Sequence, residues 1–170
     1  PVHREPLPPT EEEVALLEEM YEKGDDPEVE RTMWVLGDWP GPRNVEVLLR
    51  ACGDERWAVC AQAATSLGRH ADVLGDDAKR RAIERLTPLL DHPERRVVIS
   101  ALGALGALKA DAASAKIGPH AASKDRQIAI AALRALGETG NPENFNYVRG
   151  RIDSEDSHVA LAAIEATGKL

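Results

Sequence analysis

The chain has 170 residues, with 29 Asp and Glu against 21 Lys and Arg, a formal net charge of −8. That length suits one domain or one rod of stacked units. The balance lacks the basic footprint a nucleic-acid binder needs, and no run approaches the ~20 apolar residues of a membrane span, so neither partner is expected.

The charge is unevenly placed. Residues 1–38 hold twelve acidic and three basic side chains, and the rest is nearly neutral. This acidic segment reads as a solvated cap on a stack of helices, and it would also suit a basic partner. Of 26 alanines, 25 follow residue 50, which fits helix axes that approach closely.

Residues 1–9, PVHREPLPP, form an extended tether, because four prolines deny it a helix. Thr10 and Glu13 make a capping box that opens a helix to about Lys23, with Val14, Leu17 and Tyr21 as its buried row. Asp26-Pro27 opens a second helix, which ends at Gly37, and Trp34 is expected in the core of this end unit. Gly37, Gly68, Gly106, Gly137 and Gly168 then recur at spacings of 31, 38, 31 and 31. Each is expected to stop a helix, since glycine reaches the left-handed C-cap conformation without a Cβ clash.

A near-constant period of this size marks a solenoid. The units run over about 10–37, 38–68, 69–106, 107–137 and 138–168 of a single domain, 10–170. First helices are expected over 10–23, 42–51, 76–90, 111–122 and 142–152. Second helices are expected over 27–36, 54–67, 93–105, 124–136 and 155–167. Pro88 should bend the third first helix or remove one of its backbone bonds. Gly118 and Pro119 should leave the fourth short or irregular.

The second helices DERWAVCAQAATSLG, HPERRVVISALGALG, SKDRQIAIAALRALG and SEDSHVALAAIEATG align without gaps, with Val59, Val97, Ile128 and Val159 in one column. RLTPLLDHPERRVVISALGALGAL resembles a HEAT repeat, and the 31-residue period is similar to the short subclass named for phycobilisome lyases. The resemblance covers residues 10–170 and implies an all-α fold, an α-α superhelix of about five helical hairpins. It departs from the usual repeat in lacking an arginine after the shared valine. Leu170 falls where a further turn is due, so a module of a larger protein is expected, its last face covered by another domain or chain.

No catalytic constellation emerges, so the chain is expected not to be an enzyme, and no cofactor or metal site is expected. His3, His70, His92, His120 and His158 lie at unrelated register positions. Asp25-Asp26 and Asp76-Asp77 read as helix caps. Lys79-Arg80-Arg81 reads as an exposed face laced by Asp76–Arg80 and Asp77–Arg81 pairs. Cys52 and Cys60 read as buried, reduced thiols of a cytoplasmic protein. Trp57, in DERWAV, resembles a turn of bilin-lyase members of the family, and packing at an inter-repeat seam explains it equally.

The candidate surface is the row of polar breaks on the second helices: Arg96, Gln127 and His158; Gln62 and Ser100; Thr65, Arg134 and Glu165; and Arg69, with Glu138 and Lys169 beside it. The resemblance puts these helices on the concave side, where the row would form a mixed-charge groove for a protein or peptide partner. The expected function is a non-catalytic interaction scaffold. The alternative that the family resemblance supplies is a subunit of a bilin lyase or related tetrapyrrole-handling enzyme.

Overall fold

A computed structural model describes residues 9–39 and 41–170, so most of the expected tether, residues 1–8, lies outside the described residues. Ten α-helices follow one another: α1 (Glu11–Lys23), α2 (Asp26–Leu36), α3 (Pro42–Ala51), α4 (Trp57–Arg69), α5 (Asp76–Leu86), α6 (Arg95–Ala107), α7 (Ser114–Ile117), α8 (Arg126–Thr139), α9 (Phe145–Val148) and α10 (Ser157–Thr167). No strand occurs among the described residues. The fold is an all-α superhelix of helical hairpins.

Local chemistry sets the helix starts. Thr10 accepts from the Glu13 amide at 3.3 Å, and Glu13 takes the Thr10 amide at 2.7 Å. Asp25 is the cap of α2 and accepts from the Glu28 amide, so this cap stands one residue before the expected Asp26. Asp125 and Asp156 cap α8 and α10 in the same way, each accepting two amides. Asp76 and Asp77 do not cap α5, because Gly75 occupies that position. They sit in its first turn, where negative charge favours the helix dipole.

The outer helices weaken along the chain. Pro88 ends the α-helical bonding of α5 and diverts Thr87–Asp91 into a 3-10 turn. Residues 111–122 are two 3-10 turns around the four residues of α7, as Gly118 and Pro119 imply. The regular helix expected over 142–152 is also broken, into α9 between two 3-10 turns. Asn141, Asn144, Asn146 and Gly150 are poor helix formers, and the Asn141 side chain bonds the Glu143 amide instead of leaving it to a helix.

Gly37 and Gly168 end α2 and α10 as expected, though in right-handed and not left-handed conformations, whereas the other three recurring glycines have a different role. Gly68, Gly106 and Gly137 lie inside α4, α6 and α8, not beyond their ends. A Cβ on Gly68 would stand 2.8 Å from the Cα of Ala104; on Gly106, 2.8 Å from that of Ala135; on Gly137, 2.8 Å from that of Ala166. Each glycine is a notch for the backbone of the next second helix. Gly37 holds the same register position, but a Cβ there would meet side chains and not backbone: the Ser66 hydroxyl, the Arg69 guanidinium at 2.5 Å and the Ser66 Cβ at 2.7 Å. The left-handed turn expected at Gly137 falls at Gly140, with φ 67°.

These notches bring α4, α6, α8 and α10 into one closely packed row, with α2 against α4 at its start. The first helices of successive hairpins touch far less, so the stack curves with the second helices inside. One apolar core runs between the rows from Val29 to Ala166. The acidic α1 closes the first end: Glu18 takes Arg43 at 2.6 Å and Arg50 at 3.0 Å, both from α3. On the outer side Arg80 pairs with Glu84, four residues on, as its spacing implies, while the expected Asp76–Arg80 and Asp77–Arg81 pairs give way to Arg80–Asp77 and to Arg81 reaching back to Glu46 at 2.7 Å.

Candidate functional site

The inner row presents a regular surface because its helices share one register. Three residues before the glycine stand Trp34, Thr65, Gly103, Arg134 and Glu165, all exposed. Trp34, expected in the core, is 59% exposed there, and the Arg69 guanidinium lies 5.8 Å from its ring centroid. Its neighbours in the register already mark the position as outward.

Five of the expected residues meet in one shallow depression of about 440 Å³: Gln62, Thr65, Arg96, Ser100 and Gln127. Ala58, Ala61, Ile99 and Trp57 complete its lining. Thr65 donates to its own Ala61 carbonyl at 2.9 Å and accepts from the Ser100 hydroxyl at 3.1 Å across the α4–α6 seam. Arg95 donates to Gln127 across the next seam and lies 3.4 Å from the α8 cap, Asp125. The depression therefore spans three consecutive inner helices.

Arg96 and Trp57 form the chemical centre of this surface. The Arg96 guanidinium stands 5.3 Å from the Trp57 ring centroid, within cation–π range. Among the described residues no carboxylate pairs with Arg96 or with Arg134. Trp57 is 40% exposed beneath its cation. The site residues read from sequence omitted Trp57, although it directly precedes the register column that holds Arg96.

The remaining expected residues lie outside the depression. Arg69 is held by Asp38 at 2.9 Å and donates to Ser66 at 3.3 Å, so its charge is spent within the fold. Lys169 repeats that pairing three seams along, onto Glu138. Arg134, His158 and Glu165 are exposed further along α8 and α10 and extend the polar row toward the last hairpin.

The other candidate groups are structural. Cys60 donates to the Cys52 carbonyl at 3.1 Å, and both thiols are free. Burial pushes Cys52 up to about 12 and Cys60 up to about 11, which keeps both protonated and unreactive. His70 is buried, and its Nε2 donates at 2.8 Å to the Gly37 carbonyl of the preceding hairpin. Burial holds its pKa below the ordinary imidazole value. No group of three or more His, Cys, Asp or Glu able to hold a metal occurs among the described residues. No helix among them is long and apolar enough to cross a membrane.

No known protein family matches the chain by sequence, and no curated protein does. Solved structures match it by shape. A chain in the complex of CpcE and CpcF of phycocyanin lyase from Nostoc sp. superposes with a TM-score of 0.79 at 22% identity, over 100% of this chain and 68% of that one. An archaeal HEAT-like repeats protein from Thermococcus onnurineus gives 0.64 at 17% identity, over 94% and 71%. A designed armadillo repeat protein in complex with the peptide (KR)4 gives 0.68 at 14% identity, over 92% and 82%. At these identities the likeness is one of architecture. The chain has the fold of the HEAT-like helical-repeat solenoids.

Proposed function

We propose that the chain is a non-catalytic protein-interaction scaffold of the cytoplasm that grips a peptide segment of another protein along its inner row, with no nucleic acid or membrane as partner. One observation carries this reading: an unpaired guanidinium, Arg96, lies over a partly exposed tryptophan in a depression that crosses three helices. A surface this open encloses too little of a small molecule to hold it tightly, whereas a peptide laid across the seams gains area from each helix. The free charge at its centre is positive, so a carboxylate of the partner is what Arg96 would receive. Capture from source-cell extract on immobilised protein tests this. Arg96→Glu and Trp57→Ala each weaken retention of one discrete partner by about tenfold or more, the scale of a central anchor, while both variants keep the helical circular dichroism of the wild type. Equal capture by the wild type and both variants removes the groove.

A second reading has its own observation, the likeness of all of this chain to 68% of a chain of the phycocyanin lyase complex. As a tetrapyrrole-handling subunit, the protein would change the visible absorbance of a free bilin on mixing. A spectrum equal to the sum of the separate components removes that reading.

A further inference from the structure

A second hollow, of about 640 Å³, lies in the outer row between the fourth and fifth hairpins, where Asp111–Ala113 and α7 meet Pro142–Asn144 and α9. Two side chains of its lining, Ser114 and Asn144, are buried. Their hydrogen bonds fix where each polar atom points. The Thr139 hydroxyl donates to the Leu136 carbonyl at 2.7 Å, and the Ser114 hydroxyl donates to Asp111 at 3.2 Å. Both hydroxyl oxygens are left as acceptors, and the two Asn144 amide protons go to them, at 2.7 Å and 2.9 Å. The Asn144 carbonyl oxygen takes no donor among the described residues. It is not sealed in either, since the buried side-chain N and O atoms without a partner there are His70 Nδ1 and Arg151 Nε. That oxygen therefore opens to the hollow that Asn144 lines. Charge points the same way. Asp111 accepts from Asn141 at 2.7 Å and Glu143 is exposed, and among the described residues no cation pairs with either carboxylate. Tyr147 stands beside them. A Cβ on Gly118 would meet its Cγ, Cδ1 and Cε1, so the glycine lets the ring lie close, while Tyr147 stays 39% exposed.

We infer that this hollow is a binding site for a guanidinium group, presented by an arginine whose own carboxylate is tied up in a peptide bond. A guanidinium has five N–H donors and no acceptor, which matches open groups that are a buried carbonyl and two carboxylates. Asp111 and Glu143 supply charge-assisted acceptors, and the Asn144 carbonyl supplies a neutral one. Tyr147 supplies an aromatic ring for the guanidinium plane to lie against. A lysine brings its three donors at one point and leaves part of this set unmatched. A sugar brings oxygens that need donors, and Ser114 and Asn144 have already committed theirs within the fold. A free arginine sets its own carboxylate against Asp111 and Glu143, which selects the peptide-bonded form. The hollow shares no residue with the inner depression, so the inference does not depend on the groove.

The probe is N-acetyl-arginine methylamide, titrated into the isotope-labelled chain. Saturable shifts are expected at the Asn144 side-chain amide and the Tyr147 ring, and not at Gln127 of the inner depression. The same compound built on citrulline keeps the shape without the charge and gives no saturable shift. Glu143→Gln, at an exposed position, weakens binding by about threefold or more, the effect of a partly exposed ion pair, and keeps the helical circular dichroism. Asp111→Asn does the same while keeping an oxygen for Asn141 and Ser114. No saturable shift at Asn144, an equal response to citrulline, or full affinity in both variants overturns the inference. Free arginine binding more tightly than the capped compound overturns the peptide-bonded source. Calcium ion that moves the same signals and displaces the capped arginine overturns the guanidinium, because the acceptors would then serve a metal.

Discussion

Gly106 and Ala135 touch across the α6–α8 seam so closely that a Cβ on the glycine would lie 2.8 Å from the alanine Cα. The Gly68–Ala104 and Gly137–Ala166 pairs repeat that distance. The seams are thus one interface used again, and it sets how tightly the inner row is drawn. The groove follows from it, since its residues are positions in this register.

Leu133 and Ile164 occupy equivalent positions with opposite burial, 0% and 54% exposed. Leu133→Ala leaves a cavity between α8 and α10 and destabilises by ~2–5 kcal/mol. Ile164→Ala removes surface already in water and stays within about 0.5 kcal/mol. Urea unfolding of the two variants checks the pair. A Leu133→Ala loss below ~1 kcal/mol would place that residue outside the core.

His70 makes stability depend on mild acid. Its pKa is lowered by burial, so the folded state holds the imidazole neutral while the unfolded chain protonates it first. Arg69 pushes in the same direction, and the Gly37 carbonyl and Asp38 oppose it. The stabilisation is therefore complete above the unfolded pKa of about 6.5 and is lost as pH falls below it. Urea midpoints should drop from about pH 7.5 to about pH 5.5, and His70→Gln should flatten the profile over that range. A midpoint that rises on acidification would contradict the assigned neutral imidazole.

Arg96 and Trp57 should be energetically coupled in the free protein. A double-mutant cycle with Arg96→Ala and Trp57→Ala yields about 0.5–1 kcal/mol, the size of an exposed cation–π contact. Additive single effects would mean that the two side chains do not hold each other, and the depression would lose its centre.

Much of this was legible from the residues. The 31-residue spacing gave the hairpins, and polar letters at fixed distances from the glycines gave five residues of one depression. Gly37 and Gly168 do stop their helices, but Gly68, Gly106 and Gly137 mislead, because a helix stop and a helix–helix notch call for the same residue within one turn of a helix end. What separates them is the facing atom, Ala135 for Gly106, and that atom belongs to another unit. Trp34 reads as core by side-chain type, although Thr65, Arg134 and Glu165 share its register and are exposed. The Arg96–Trp57 contact joins two hairpins, and no pattern within one helix reports it. The break in 142–152 reflects several weak helix formers together, where a single proline would have been plain.

Within α6, Gly103 and Gly106 lie three residues apart, and nothing stands within 4 Å of a Cβ on Gly103. The difference in unfolding free energy between Gly103→Ala and Gly106→Ala therefore tests the notch most directly. Gly103→Ala should stabilise by about 1 kcal/mol through helix propensity alone. Gly106→Ala should destabilise by roughly 1–3 kcal/mol, because a methyl group forced against Ala135 outweighs the same propensity gain. Equal stabilisation by both substitutions would contradict the close seam on which the stack and its groove depend.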